Sequence, residues 1–256
     1  MDQKRNNIFS RVLSPFLLLL IWYAVALIMK APLILPYPHT VLVRLCELAG
    51  TALFWKSFCI TLLRVILAFI ISVLAGFCLG LLSADYKLFN SFLQFPLNVI
   101  RVTPIIAFIL IALFWFKSGT VPVVIATVMS LPVMVTACEK GFERNAENIE
   151  KLFKANSYGF TGFYAFRYIR FPSALPAILS GAESSFGLCW KVVAAGEVLS
   201  VPRFAAGTLM QKAQVHLDTA DVLAVTAVLV IVSSLCQWFL KILINKFSSK
   251  KGEKAL

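Results

Sequence analysis

Between Val12 and Met29 the chain runs eighteen residues without a charged side chain, and long apolar runs recur to its end. In hydrocarbon no water is present to bond a free N–H or C=O, so such a run must satisfy its backbone within itself. A stretch of roughly 20 apolar residues therefore folds as a helix that crosses the bilayer. Sixty per cent of the 256 residues are apolar, well above the ~45–50% of a soluble domain. Too little polar surface is left to cover a water-soluble globule. The fold class this predicts is an all-α integral membrane protein.

Six spans are expected, at residues 12–29, 58–82, 92–116, 121–137, 175–199 and 222–244, within a single transmembrane domain over 1–256. Ala24-Val25-Ala26 has the small-residue look of a leader cleavage site. The apolar run continues past it and exceeds the usual leader core, so the first span is read as uncleaved. The Pro-rich opening of the 30–57 loop leads into an amphipathic helix from Pro38 that carries Val41, Leu42, Leu45 and Leu48 on one side. In the second span Gly76 and Gly80 form a small-xxx-small pattern, which lets helices approach closely. Arg64, near the outer end of that span, is placed to snorkel to the interface. Pro96 and Pro104 interrupt the third span, with Arg101 between them. Each removes a backbone donor, and a bend follows. Residues 84–90 form a short turn and 200–220 an outer loop.

The net charge of +12 is compatible with nucleic-acid binding, but in a membrane protein Lys and Arg gather in cytoplasmic loops. Lys4, Arg5, Arg11, Lys87, six cations from Lys140 to Arg170 and five from Lys241 to Lys254 make fifteen on the side holding both termini. Six lie on the other side. Both termini and the long polar loop are thus assigned to the cytoplasm, with the lipid bilayer as the partner and no nucleic acid. The six cysteines are scattered singly, without metal-type or disulfide spacing, and His39 and His216 lie far apart in loops.

The longest polar interval runs from Asn145 to Pro176. Asn145 or Asn148 can cap a helix that begins near Ile149. Ile149, Leu152, Phe153 and Ala155 then give it a short apolar face, and Gly159 a natural stop. So short a helix is marginal in water and needs a partner to bury that face. Ala155, Gly159, Ile169 and Pro172 stand at the spacing of the Glu-Ala-Ala loop found in membrane permeases of ATP-binding-cassette (ABC) importers. That loop reads Glu-Ala-Ala, three residues, Gly, nine residues, Ile, one residue, Leu-Pro. Phe153, Lys154 and Phe171 depart from it. The resemblance implies that the loop 140–172 carries a coupling helix, Leu152 to Gly159, which docks into a cleft on a separate ATPase. Glu150, one turn before Phe153, stands in for the missing acidic contact.

The fifth span carries Glu183, Lys191 and Glu197. A charge at membrane depth is costly, about 2.5–3.5 kcal/mol on insertion scales, so these should face protein or water. At about 100° per residue, Glu183, Trp190 and Glu197 fall within about 40° of one another on a stripe roughly 21 Å long. Such a stripe suits the wall of a solute pathway, and equally a structural ion pair joining helices. Glu197 lies close to the outer face, where it could cap the loop or hold a gate shut. Trp190, Lys191, Glu197, Gly207, Leu217, Thr219 and Ala220 match the C-terminal pattern of the nitrate/sulfonate/taurine-type importer permeases, while Gly196 and Gln214 depart from it. Residues 35–38 (LPYP), the TLLRV around Arg64, RVTP at 101–104 and FWFKSG at 114–119 extend the resemblance over about 14–245.

No phosphate-binding loop, dinucleotide loop, HExxH or nucleophile elbow occurs. No catalytic residue, metal site or cofactor is therefore expected in this chain, and any ATPase must come from a partner. The resemblance implies the type I (MetI-like) permease fold in the cell membrane. It also implies a second permease copy, ABC ATPase subunits carrying ATP and Mg, and an extracytoplasmic solute-binding protein. Arg101, Glu183, Trp190, Lys191 and Glu197 would line or gate the path. The solute would be small, such as a sulfonate, nitrate, taurine or a vitamin precursor. The alternative is a self-contained transporter driven by an ion gradient through its membrane carboxylates.

Overall fold

The computed structural model describes residues 2–143 and 162–252, and every regular element there is helical. The helices are α1 (Asp2–Met29), α2 (Pro38–Ala49), α3 (Ala52–Asp85), α4 (Lys87–Val102), α5 (Ile105–Trp115) and α6 (Val121–Phe142). After them α7 (Gly162–Ala165) passes through a π-helical turn (Phe166–Arg170) into α8 (Phe171–Ser200), followed by α9 (Ala206–Val215) and α10 (Thr219–Gly252). Glu150, Leu152, Phe153, Lys154, Ala155 and Gly159 lie outside the described residues, so the expected coupling helix falls there.

Three helices, Ala52–Asp85, Val121–Phe142 and Thr219–Lys246, are each long and apolar enough to cross a membrane. The α4–α5 pair makes a fourth if taken as one broken span. The apolar part of α1, Phe16–Met29, is shorter, and α8 is interrupted by Glu183, Lys191 and Glu197. Three helices thus pass alone as spans, while α1, the α4–α5 pair and α8 carry a shorter run, a break or charges.

Local chemistry explains several boundaries. The Thr51 side chain accepts from Phe54 N and starts α3 six residues before the expected span. Pro96 sits inside α4 without ending it, whereas the chain turns through 103° at Thr103-Pro104. A residue before proline is pushed out of the helical region. Thr103 is extended (ψ 130°), and its N–H and hydroxyl both return to the Val99 carbonyl. The outer loop expected at 200–220 is not all loop: Ala206–Val215 is helical.

At the centre, α6 packs along both α3 and α8. Phe54, Phe58, Val65, Ile125, Phe186, Trp190 and Val193 belong to one buried cluster, and Met134, Cys138, Phe142, Ala174 and Ile178 to a second. In a bilayer, lipid is as apolar as leucine, so helices associate through close van der Waals fit rather than through the hydrophobic effect. Small residues supply that fit. A Cβ placed on Gly76 would lie 2.3 Å from Met134 Cβ, and one on Gly80 2.5 Å from Cys138 Cβ. The small-xxx-small pattern is thus the α3 side of the α3–α6 contact.

An exposed helical Gly→Ala change gains roughly 1 kcal/mol of helix propensity. Gly76→Ala is expected instead to cost about 1–3 kcal/mol through overpacking. It should lower the thermal midpoint of the detergent-solubilised protein; an unchanged or raised midpoint would contradict this contact.

Candidate functional site

The last turns of α8 carry Glu197 to the point where α3 and the chain leading into α9 meet. Its side chain is 0% exposed. A carboxylate without water must be answered by protein donors. Arg64 Nη1 lies 2.7 Å from Oε1, Thr61 Oγ1 donates at 2.8 Å, and Gly207 N–H donates to Oε2 at 3.1 Å. The frame is itself braced, because Thr61 Oγ1 accepts from Ala206 N–H at 2.9 Å and Arg64 Nη1 donates to the Phe204 carbonyl at 2.9 Å. Gly207 is required by space, since a Cβ there would stand 2.6 Å from Glu197 Cβ. Val201, which ends α8, takes a left-handed conformation (φ 47°) that a β-branched residue adopts only under constraint. Arg64 does not snorkel: it turns inward, because the desolvated Glu197 binds it there.

At the opposite end of α8 a second cation holds three elements. Arg170 Nη1 donates to Asp85 Oδ2 at 3.1 Å, at the end of α3. Its Nη2 donates to the Phe142 carbonyl at 3.3 Å, and the guanidinium lies 5.6 Å from the Phe142 ring centroid. Phe166 stacks on Phe142 with centroids 5.9 Å apart. Ile169 is part of the π-helical turn, and Pro172 occupies the first turn of α8, where its missing N–H costs nothing.

The stripe predicted on α8 is buried unevenly along its length. Trp190 is 4% exposed, and its indole N–H has no partner among the described residues. It lines a cavity of about 290 Å³ with Lys191, Met210, Thr226 and Ser233, between α8, α9 and α10. Lys191 is exposed. Glu183 is half-exposed and lies 3.6 Å from Lys241 of α10. Glu183, Trp190 and Glu197 therefore meet three different neighbours and do not form one continuous open wall. Arg101 lies apart from all of them, against α6, where it donates to the Pro132 carbonyl at 3.2 Å and to Thr136 Oγ1. Among the described residues no three His, Cys, Asp or Glu side chains gather as a metal would need.

Sequence reasoning missed a charge cluster outside the membrane core. Arg44 of α2 reaches Asp221 Oδ1 at 2.8 Å, Asp218 Oδ2 at 3.2 Å and Glu47 Oε2 at 2.7 Å. Hydrogen bonding and charge from Asp221 hold the guanidinium above its ordinary value. Signals were present in the Arg44–Glu47 spacing of three and in acidic residues at the start of α10, where the helix dipole favours them.

Apolar helices packed through small residues, with charges answered inside the bundle, define a multi-pass membrane protein. Residues 76–250 match the model of the binding-protein-dependent transport system inner membrane component family, and the chain belongs to that family. It is the transmembrane permease subunit of an ABC importer. The taurine transport system permease protein TauC of Escherichia coli (strain K12) is 26% identical over 242 residues, covering 92% of this chain and 87% of TauC. The aliphatic sulfonates transport permease protein SsuC of Bacillus subtilis (strain 168) is 22% identical over 249 residues, covering 95% and 88%. The fold is shared with a chain of an amino acid ABC transporter crystal structure, at TM-score 0.63 and 21% identity over 80% of this chain and 97% of that one. It is also shared with the inward-facing MetNI methionine ABC transporter, at TM-score 0.57 and 19% identity over 75% and 93%. The fold shared with these two structures is the type I importer permease fold of the MetI-like kind, as the sequence resemblance implies.

Removing one partner of a buried ion pair strands the other charge and costs about 3–5 kcal/mol. Glu197→Gln is therefore expected to lower the thermal midpoint sharply, and Arg64→Met combined with it to recover much of the loss. Additive losses in that double-mutant cycle would show that the two side chains do not act as a pair.

Proposed function

We propose that this permease moves a small organic or inorganic solute by alternating access, in a complex of two permease copies and two cytoplasmic ABC ATPases. The observation that supports it best is the continuity of α8. This helix of 30 residues begins at Phe171, in the last residues of the loop that resembles the ATPase-docking element, and carries the buried Glu197 in its last turn. At 1.5 Å per residue it is a rod about 45 Å long. A shift of the loop moves Arg170 and its bonds to α3 and α6, and the same rod carries the shift to the Arg64–Glu197 frame outside.

In this reading loop 140–172 docks on the ATPase through Glu150, Leu152, Phe153, Lys154, Ala155 and Gly159. Ile169 and Pro172 fix its return to the membrane. ATP and Mg belong to the partner, and an extracytoplasmic binding protein delivers the solute. ATP binding draws the two loops together and favours the outward-facing state, because each ATPase state has its own affinity for each permease state. Six spans put both termini on one side of the membrane, and the charge asymmetry makes that side the cytoplasm. The relatives' names, taurine and aliphatic sulfonates, put sulfonates first among the solutes. Lys191, Trp190 and Glu183 line the path, and Glu197 holds its outer side. The ion-driven alternative would need a membrane carboxylate free to exchange an ion, and Glu197 is already bound to Arg64.

Co-purification with the candidate ATPase tests this. The wild-type chain should retain it, and Gly159→Asp, which puts a charge at the expected end of the coupling helix, should lose it while keeping its own thermal midpoint. If the wild type never retains an ATPase, the proposal fails and the ion-driven reading takes its place.

A further inference from the structure

Several cations among the described residues meet acids. Arg44 meets three carboxylates, Arg64 meets Glu197, Arg170 meets Asp85 and Lys241 meets Glu183. Among the described residues Arg101 and Lys140 have no such partner, and they lie together. Both line one groove of about 430 Å³ on α4, α6 and α8, with Thr136, Ser180 and Ser184. No carboxylate lines it, and among the described residues neither cation has an acidic partner. The nearby acids are engaged elsewhere. Glu139 accepts from Asn90 Nδ2 at 2.6 Å and from Gln94 Nε2 at 3.4 Å, and Glu183 faces Lys241.

Arg101 is aimed into the groove by neutral acceptors. Its Nη2 donates to Thr136 Oγ1 and to the Pro132 carbonyl, and Nη1 donates to Asn98 Oδ1 at 3.4 Å. Thr136 in turn donates to the Pro132 carbonyl at 2.8 Å, so it positions Arg101 without cancelling its charge. Ser180 and Ser184 stand one helical turn apart on α8, opposite the cations. A guanidinium and an ammonium, with the Ser180 hydroxyl beside them and no carboxylate around a space of small-ligand size, form a receptor for a compact oxyanion.

We infer that the Arg101–Lys140 groove binds a small oxyanion head group, with Arg101 and Lys140 supplying the charge and Ser180 a neutral donor. This rests on the permease reading in that the oxyanion is then part of the solute; the same chemistry on a lipid would be a phosphate head group. Binding is read on this chain alone, so its failure and that of ATPase docking are separate results.

The full-length chain, in nanodiscs of phosphatidylcholine, is titrated with ethanesulfonate and with choline by calorimetry. Saturable binding of ethanesulfonate but not choline is expected, weakened at least about tenfold by Arg101→Gln and by Lys140→Gln. Lys117→Gln, outside the groove, should bind as the wild type does. Lys140 makes no hydrogen bond among the described residues, so its variant tests the site even if Arg101→Gln does not fold. Arg101→Lys should keep weakened binding, because the charge stays and the guanidinium is lost. A second arm counts phosphatidylglycerol retained in detergent by native mass spectrometry. Retention lost in the same variants, without ethanesulfonate binding, keeps the oxyanion site and assigns its ligand to a lipid head group. Ethanesulfonate binding unchanged in both variants, or no binding of either anion by the wild type, overturns the inference.

Discussion

A glutamate with no water around it has to be answered by the protein, and much of one end of this permease is arranged to answer Glu197. Thr61 and Arg64 come from α3 and the Gly207 N–H from the start of α9, so one carboxylate joins a helix 133 residues earlier in the chain to a segment ten residues later. Breaking any one donor leaves a charge that hydrocarbon cannot solvate. That cost keeps α3, α8 and α9 in one register, and it explains why Gly207 has no room for a side chain and why Val201 tolerates its left-handed turn.

The opposite end of α8 repeats the arrangement with the charges reversed. There a cation on the π-helical turn before α8, Arg170, reaches the ends of α3 and α6. Between the two ends, contact passes to small residues, with Gly76 and Gly80 against α6 and Gly181 against Ala137. The helices are thus pinned electrostatically at both ends and fitted sterically in the middle. The physical division is sensible, since dispersion contacts tolerate sliding and buried ion pairs do not.

Much of this was legible in the sequence. Apolar run length gave the helices, Thr103-Pro104 the break in the third, Gly76–Gly80 a packing face, and the chain from Trp190 to Ala220 its family. What could not be read was who answers each charge. Helical geometry puts Glu183, Trp190 and Glu197 on one side of α8, but that side passes α10, then the cavity beside α9, then α3. An angle on a helix names a face and says nothing of what covers it. The Arg64–Glu197 and Arg170–Asp85 pairs span 133 and 85 residues, and a single sequence carries no local signal for either. Helix α9 was hidden for a different reason: its mixed composition lacks an apolar run, and it is held by Thr61 and Glu197 at its first turn.

The stacking of Phe166 on Phe142, reinforced by Arg170, brings the two ends of the 144–161 interval to a single point on the membrane core. The entropy of closing that interval is thereby met by transmembrane packing and not by the interval itself. The packing of the helical core is thus independent of the chain that joins Phe142 to Phe166, and the core can be kept while that stretch changes.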